Sequence, residues 1–288
     1  IARCILTLVA AGLGATAALA ENKPRVASIN VCTDQLVLAL AEPAQIVGLS
    51  PYSRDADRSY SADQARRYRR LSGEAEDVLI LRPDIVLSSD FTRRATRELL
   101  QAKGFRIESF PVAQTIGEAR AQILRMGEVL GQADRARTAA ERLDAAVARA
   151  SHAATASGAT VLPLARRGWV SGQDTMIGSL LAAVGLRSAA REGALRYGGF
   201  ASLEQIVAIR PDLILVDDAR TFADDQGRAF LLHPVLERLY PMDRRLVVPE
   251  RLSVCGGPML ADALDRLAAE LARVTAAKGL SPRPNFAR

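Results

Sequence analysis

Residues 76–90 read EDVLILRPDIVLSSD, and residues 204–218 read EQIVAIRPDLILVDD. Six of the fifteen aligned positions are identical: the leading Glu, the Arg-Pro-Asp, one Leu and the final Asp. Most of the others exchange one aliphatic residue for another. In each copy a short helix starts at the glutamate and must stop at the proline, which pushes the preceding residue out of the helical region. The aliphatic run that follows does not alternate with polar residues, as a parallel strand covered on both faces requires. The copies lie 128 residues apart, far beyond the period of a solenoid or propeller. The chain therefore contains two similar α/β lobes.

The rest of the sequence is laid out around these units. RVASIN (25–30) reads as a first strand, TDQLVLALAEP as a helix stopped at Pro43, and IVGLS (46–50) as a second strand. The polar stretch from Pro51 to Arg70 reads as a long surface loop with little regular structure. A helix over 92–103, stopped by Gly104, and the strand FRIESF complete the first lobe. Thr115-Ile-Gly-Glu118 is a capping box opening a helix that runs to about Leu130. From Asp134 no turn signal appears for about twenty residues, which is roughly 30 Å of helical rod. The α/β pattern then restarts with TVLPLA, the helix TMIGSLLAAVG, the second repeat, a helix over 228–239, the strand RLVVPE and a last helix from about Pro258.

The N-terminus, IARCILTLVAAGLGATAALAEN, has one arginine, a short apolar run and Ala18-Leu19-Ala20 before Glu21. This is the pattern of a cleavable secretory signal. The expected organisation is a signal peptide at 1–20, an N-terminal lobe at 21–130, a connecting helix at 131–157 and a C-terminal lobe at 158–288. The fold class is α/β, with two Rossmann-like lobes built on central parallel sheets and joined by a long rigid helix. Cys32 and Cys255 are the cysteines of the exported chain. Two separate thiols are the expected state, with a bridge across the cleft the alternative in an oxidising compartment.

Several function classes are disfavoured by composition. The formal charge of +6 falls to +5 without residues 1–20 and is spread over scattered arginines. Aromatics are only 5% of the chain and zinc-finger spacings are missing, so no nucleic-acid partner is expected. His152 and His233 are the two histidines, both expected at the surface, too few to build a histidine metal receptor. No P-loop, Gly-x-Gly-x-x-Gly fingerprint or nucleophile elbow occurs. The doublets Asp217-Asp218 and Asp224-Asp225 read as solvated loop acids rather than an acid/base pair.

An exported chain with two α/β lobes, a helical rod between them and the doubled Glu–Pro-Asp unit resembles the helical-backbone periplasmic binding proteins of ABC importers for ferric siderophores, haem and cobalamin. The resemblance implies that Glu76 and Glu204 dock onto arginines of a membrane permease. It also implies a ligand cleft between the lobes, at the carboxyl ends of the strands. Candidate ligand-binding residues there are Cys32, Tyr52, Arg54, Phe91, Arg93, Arg166, Trp169, Phe200 and Arg251, with Arg167 and the Gly256-Gly257 amides beside them. Tyr52 matches a tyrosine of the cobalamin-binding members, and Trp169 could cover a flat macrocycle or chelate face. The arginines could pair with carboxylates or catecholates of an anionic chelate. The implied protein is a monomer without a catalytic residue, a cofactor or a metal held by side chains alone. Its ligand is a metal chelate or corrinoid, with an iron–siderophore ahead of cobalamin and haem. The alternatives of other kinds are a secreted two-lobed enzyme, which would need cofactor-ligating cysteines or a catalytic histidine, and a sensor subunit using the same fold.

Overall fold

The computed structural model describes residues 23–153, 158–191, 193–217 and 229–278. The expected signal peptide, residues 154–157, Asp218 and the Asp224-Asp225 doublet lie outside them. In the N-terminal lobe, β1 (Val26–Ser28), β2 (Ile46–Gly48), β3 (Ile85–Ser89) and β4 (Arg106–Phe110) form one parallel sheet in the order β2-β1-β3-β4. Its helices are α1 (Val31–Leu40), α2 (Ala62–Ala65), α3 (Ala75–Leu81) and α4 (Arg94–Ala102). Two long helices follow, α5 (Ile116–Leu130) and α6 (Ala133–Ala153).

The second sheet comprises β5 (Thr160–Pro163), β7 (Arg187–Ser188), β9 (Leu213–Val216) and β10 (Arg245–Val247), all parallel, in the order β10-β9-β5-β7. A small antiparallel pair, β6 (Trp169–Val170) with β8 (Gly199–Phe200), is inserted. The helices are α7 (Met176–Ala183), α8 (Leu203–Ile209), α9 (Pro234–Leu239) and α10 (Leu260–Lys278). Set aside the β6/β8 pair, and each sheet carries its strands in the order second, first, third, fourth. The repeated units supply the third strand of each, β3 and β9, which pair beside the first strands β1 and β5.

The repeat is copied down to its backbone. Helices α3 and α8 end on Arg82 (φ 44°) and Arg210 (φ 50°), both left-handed. A left-handed arginine costs about 1 kcal/mol, and Pro83 and Pro211 forbid the helical alternative. The Arg25 guanidinium donates to the Arg82 and Leu81 carbonyls, occupying acceptors exposed at the end of α3.

One apolar core runs through both lobes. Leu36 and Leu40 of α1, Ile123, Met126 and Leu130 of α5, Leu181 of α7, Leu213 of β9 and Leu264 of α10 all belong to it. Helix α6 enters this core along Ala136, Ala140, Leu143, Ala146 and Ala150, a stripe at three- and four-residue spacing. The alanines allow close approach: a Cβ at Gly127 would lie 2.2 Å from that of Ala136. The rod is also pinned from outside, since Arg142 pairs with Asp262 and Arg149 with Asp265 of α10. The outer faces of the two sheets have smaller cores of their own, around Val86 and Leu100 in one and Leu162 and Ile206 in the other.

Three expectations need correction. The stretch from Pro51 to Arg70 has little regular structure, as expected, but it does not lie wholly on the surface: Ser53 and Ser59 are buried, and Leu49 bridges to Arg70. The Gln35 side chain on α1 holds it, donating to Ser59 Oγ at 2.9 Å and accepting from Ser61 N–H at 3.0 Å. The helix expected over 228–239 is a 3₁₀ turn at Phe230–Leu232 followed by α9. Pro234 cannot sit inside a helix, so it opens one, with His233 Nδ1 accepting from Val235 N–H as the cap. Last, Cys32 and Cys255 are not separate thiols but a disulfide, with Cα atoms 5.1 Å apart.

Candidate functional site

The carboxyl ends of the two sheets face each other. A recess between them is lined by Asn30, Ser89, Phe91 and Pro111 from one lobe and Val254 and Gly256 from the other. The Cys32–Cys255 disulfide also lines it. Asn30 caps α1, its side chain accepting from Cys32 N–H at 2.8 Å, which sets the cysteine at the first turn. Gly256 allows the lobes to close together here: a Cβ on it would lie 2.5 Å from Ala113 Cβ.

Large rings are left in solvent on both lobes, and Phe91 among them also lines the recess. Tyr52 (52% exposed) follows β2 and Phe91 (81%) follows β3. In the C-terminal lobe Trp169 (39%) and Phe200 (67%) pair on β6 and β8, edge to face with centroids 5.1 Å apart. Tyr197 (72%), just before β8, adds a fifth ring. The turn Arg166–Gly168 aims Trp169, and Gly168 (φ 78°) is required in it, because a Cβ would lie 2.4 Å from Ala201 O.

The arginines do not behave alike. Arg54 turns into its own lobe and donates to Tyr68 O at 2.7 Å. Arg93 is held by Glu74 in an ion pair at 2.5 Å. Arg58 of the N-terminal lobe and Arg166 of the C-terminal lobe both act electrostatically on Glu250. Arg58 also stands over the Tyr52 ring, 5.8 Å from its centroid. Arg251 is exposed and has no hydrogen bond or ion pair among the described residues. Arg167, at φ 58°, belongs to the turn that carries Trp169.

Three groups that shape this region are missing from the sequence-based candidates. Asp34 of α1 is fully buried and accepts from Ser50 N–H at 3.1 Å and Ser50 Oγ at 2.5 Å. Burial pushes its carboxyl up to about 7, only partly offset by hydrogen bonds from Ser28 and Ser50. It ties α1 to the segment that leads into Tyr52. An acid followed by Gln35 in the first turn of an otherwise apolar helix was the available signal. Glu250 is also raised, by desolvation first and then by Asp217, whose carboxylate accepts from Glu250 N–H at 2.9 Å. Tyr197 lies in RYGGF, a candidate loop of the second lobe in the sequence, and that loop was the signal that could have found it.

Glu76 and Glu204 are exposed in the first turns of α3 and α8. Ser202 caps α8 reciprocally with Gln205, and its hydrogen bond holds the Glu204 carboxyl below the usual range. His152 and His233 are exposed as expected. Among the described residues no group of three or more His, Cys, Asp and Glu could hold a metal ion, and no helix is long and apolar enough to cross a membrane.

Two parallel-sheet lobes with a recess between them, and a long helix packed along both, define a two-lobed binding protein of the helical-backbone class. A profile of the periplasmic binding protein family matches residues 26–240, and the chain belongs to that family, whose members are solute-binding proteins. No curated protein sequence matches it. Among solved structures, a periplasmic heme binding protein from Pseudomonas aeruginosa superposes with a TM-score of 0.71 at 24% identity, covering 91% of this chain and 100% of that one. A periplasmic vitamin B12 binding protein of Vibrio cholerae superposes with 0.68 at 16% identity, over 87% and 97%. A protein of an ABC-type Fe3+-hydroxamate transport system from Saccharomonospora viridis gives 0.67 at 20%, over 86% and 93%. At these identities the likeness establishes the fold.

Proposed function

We propose that this chain is the exported solute-binding subunit of an ABC importer and that it carries an iron chelate of the ferric siderophore type in the cleft between its lobes. The supporting observation is the set of exposed rings, Tyr52 and Phe91 on one lobe and Trp169, Phe200 and Tyr197 on the other. Large apolar side chains left in solvent on both walls of one cleft mark a binding surface. A flat ligand face would be covered by ring faces and edges. Arg251 and Arg166 supply guanidinium groups from the C-terminal lobe for chelate oxygens, and Arg58 supplies one from the other wall. Arg54 is left out of that set, since its hydrogen bond to Tyr68 O turns it into its own lobe, and so is Arg93, held by Glu74; Arg58 would have to leave its looser pairing with Asp55 at 3.7 Å.

Glu76 and Glu204 are the contacts to the permease in this reading. Their support is the shared register within two copies of one motif and their common exposure in the first helical turn. Such acids also complement a helix dipole, so the test must separate docking from stability. The protein acts in the periplasm as a monomer and catalyses no reaction.

A second reading, haem or cobalamin in the same cleft, is favoured by the same rings, which would cover a macrocycle equally well. Trp169 fluorescence titrated with ferric siderophores, haem and cobalamin decides between them. Saturable quenching by a ferric siderophore, weaker for cobalamin, supports the first reading. A response to haem or cobalamin alone transfers the function to the second.

A further inference from the structure

The outer face of the N-terminal sheet changes character along its strands. Successive residues of a strand point to opposite faces, so every second one shares a face. Val86 and Ile107 are register partners on β3 and β4 and pack in the outer core with Leu100 of α4. Two residues further on, the same face carries Ser88 and Ser109, again register partners. Adjacent strands lie about 4.8 Å apart, so the two serines stand side by side. Over them α4 presents Arg94, Arg97 and Gln101, a polar stripe at three- and four-residue spacing. Serines and stripe line a cavity of about 400 Å³. Its polar groups are not satisfied within the protein. Ser88 is fully buried, and its Oγ has no hydrogen-bond partner among the described residues. Arg97 Nε is likewise buried and unpaired, and no ion pair among the described residues neutralises its guanidinium. Glu98, the acid at the cavity, is held by Arg94 at 2.6 Å. Two arginines against one acid leave one positive charge there. A buried hydroxyl can be satisfied by water. A guanidinium only donates and is always charged, so it selects an anion.

We propose that this cavity binds a small tetrahedral oxyanion, free phosphate or sulfate, at a site separate from the recess between the lobes. Arg97 donates from Nε and a terminal nitrogen to two of the oxygens, in the planar fork that matches such groups. The Ser88 and Ser109 hydroxyls donate from the floor and the Gln101 amide from the rim. These donors come from a strand pair and from a helix lying over it, so they are not coplanar. A tetrahedral ion can accept from all of them, whereas a planar carboxylate engaged by the arginine turns no oxygen out of its plane toward the serines. The site is independent of what the cleft carries.

The test titrates inorganic phosphate, and separately sulfate, into the full chain by calorimetry at constant ionic strength, with chloride and acetate as comparison ions. The expected result is saturable one-to-one binding of both tetrahedral ions, with acetate and chloride at least about tenfold weaker. Arg97→Gln should weaken phosphate by at least about tenfold and Ser88→Ala by about threefold. If Arg97→Gln fails to fold, Arg97→Lys keeps the charge without the fork and should also lose about tenfold. Melting curves separate a binding site from a structural role. Phosphate should raise the melting temperature of the parent chain. Ser88→Ala should reduce that rise without lowering the phosphate-free value, because it removes an unpaired buried hydroxyl. No saturable phosphate binding, or an equal response to chloride or acetate, overturns the proposal. So does phosphate binding that survives Arg97→Gln and is lost in Arg251→Ala, which would place the ion in the cleft.

Discussion

The two lobes share a strand order and a motif, yet their cleft walls are built by different means. In the N-terminal lobe the wall is a long segment after β2, tied to α1 by buried polar groups, Asp34 to Ser50 and Gln35 to Ser59. In the C-terminal lobe it is an aromatic two-stranded pair, β6 with β8, standing on glycines at close backbone approaches. The halves facing the rod are alike because both must bury aliphatic surface in one core. The halves facing the ligand are free to differ, since loops at the ends of strands carry little of the packing. Duplication therefore explains the frame and says little about the ligand.

The comparison can be broken at several points. The largest effect is expected where the lobes are equivalent: Glu76→Arg with Glu204→Arg should abolish uptake in cells, while ligand affinity in solution stays unchanged and the melting temperature falls slightly, because the acids complement the N-termini of α3 and α8. Loss of affinity instead would make these acids part of the cleft. Next comes the wall that is unique to the C-terminal lobe. Trp169→Ala should weaken ligand binding by about thirtyfold, the size of an interface hot spot, as read by calorimetry. An unchanged affinity would move the ligand off the β6/β8 pair.

Smaller effects separate the arginines. Arg251→Ala removes a guanidinium without an internal partner and should cost about tenfold in affinity for an anionic chelate. Arg54→Ala should cost less in affinity and more in stability, because its hydrogen bond to Tyr68 O belongs to the fold. The reverse ranking in paired titrations and melts would show that Arg54 swings into the cleft.

The smallest concerns Asp34. Its carboxyl lies at about 7 when folded, above its ordinary value of 3.8, so between those pH values the folded chain holds a proton that the unfolded chain has released. Stability from this group is therefore present at low pH and is lost as pH rises from about 4 to about 7. Asp34→Asn should flatten that part of the stability curve, measured as melting temperature between about pH 5 and about pH 8. A slope equal to that of the parent chain would mean the carboxylate is already ionised in the folded state.

What could be read from the chain alone is what local chemistry dictates. Pro83 and Pro211 end their helices wherever they are placed, Gly131 and Thr115 mark ends of α5, and uninterrupted aliphatic runs such as Ile85–Leu87 are buried strands in any parallel sheet. The repeat then carried the reading from elements to two lobes and, through the uninterrupted run from Asp134, to a rod. Partners distant in sequence were not legible. Cys32 meets Cys255 across 223 residues, Arg93 finds Glu74 and Arg54 finds Tyr68 O, and these encounters exist only once the sheets have placed the loops. The same applies to Gln35 and Asp34, whose side chains decide that residues 51–70 are packed rather than free. Periodicity and turn residues act over a few neighbours, so they specify elements. Which polar group satisfies which is settled by desolvation inside the assembled molecule, where an unpaired donor or charge is costly enough to select its partner.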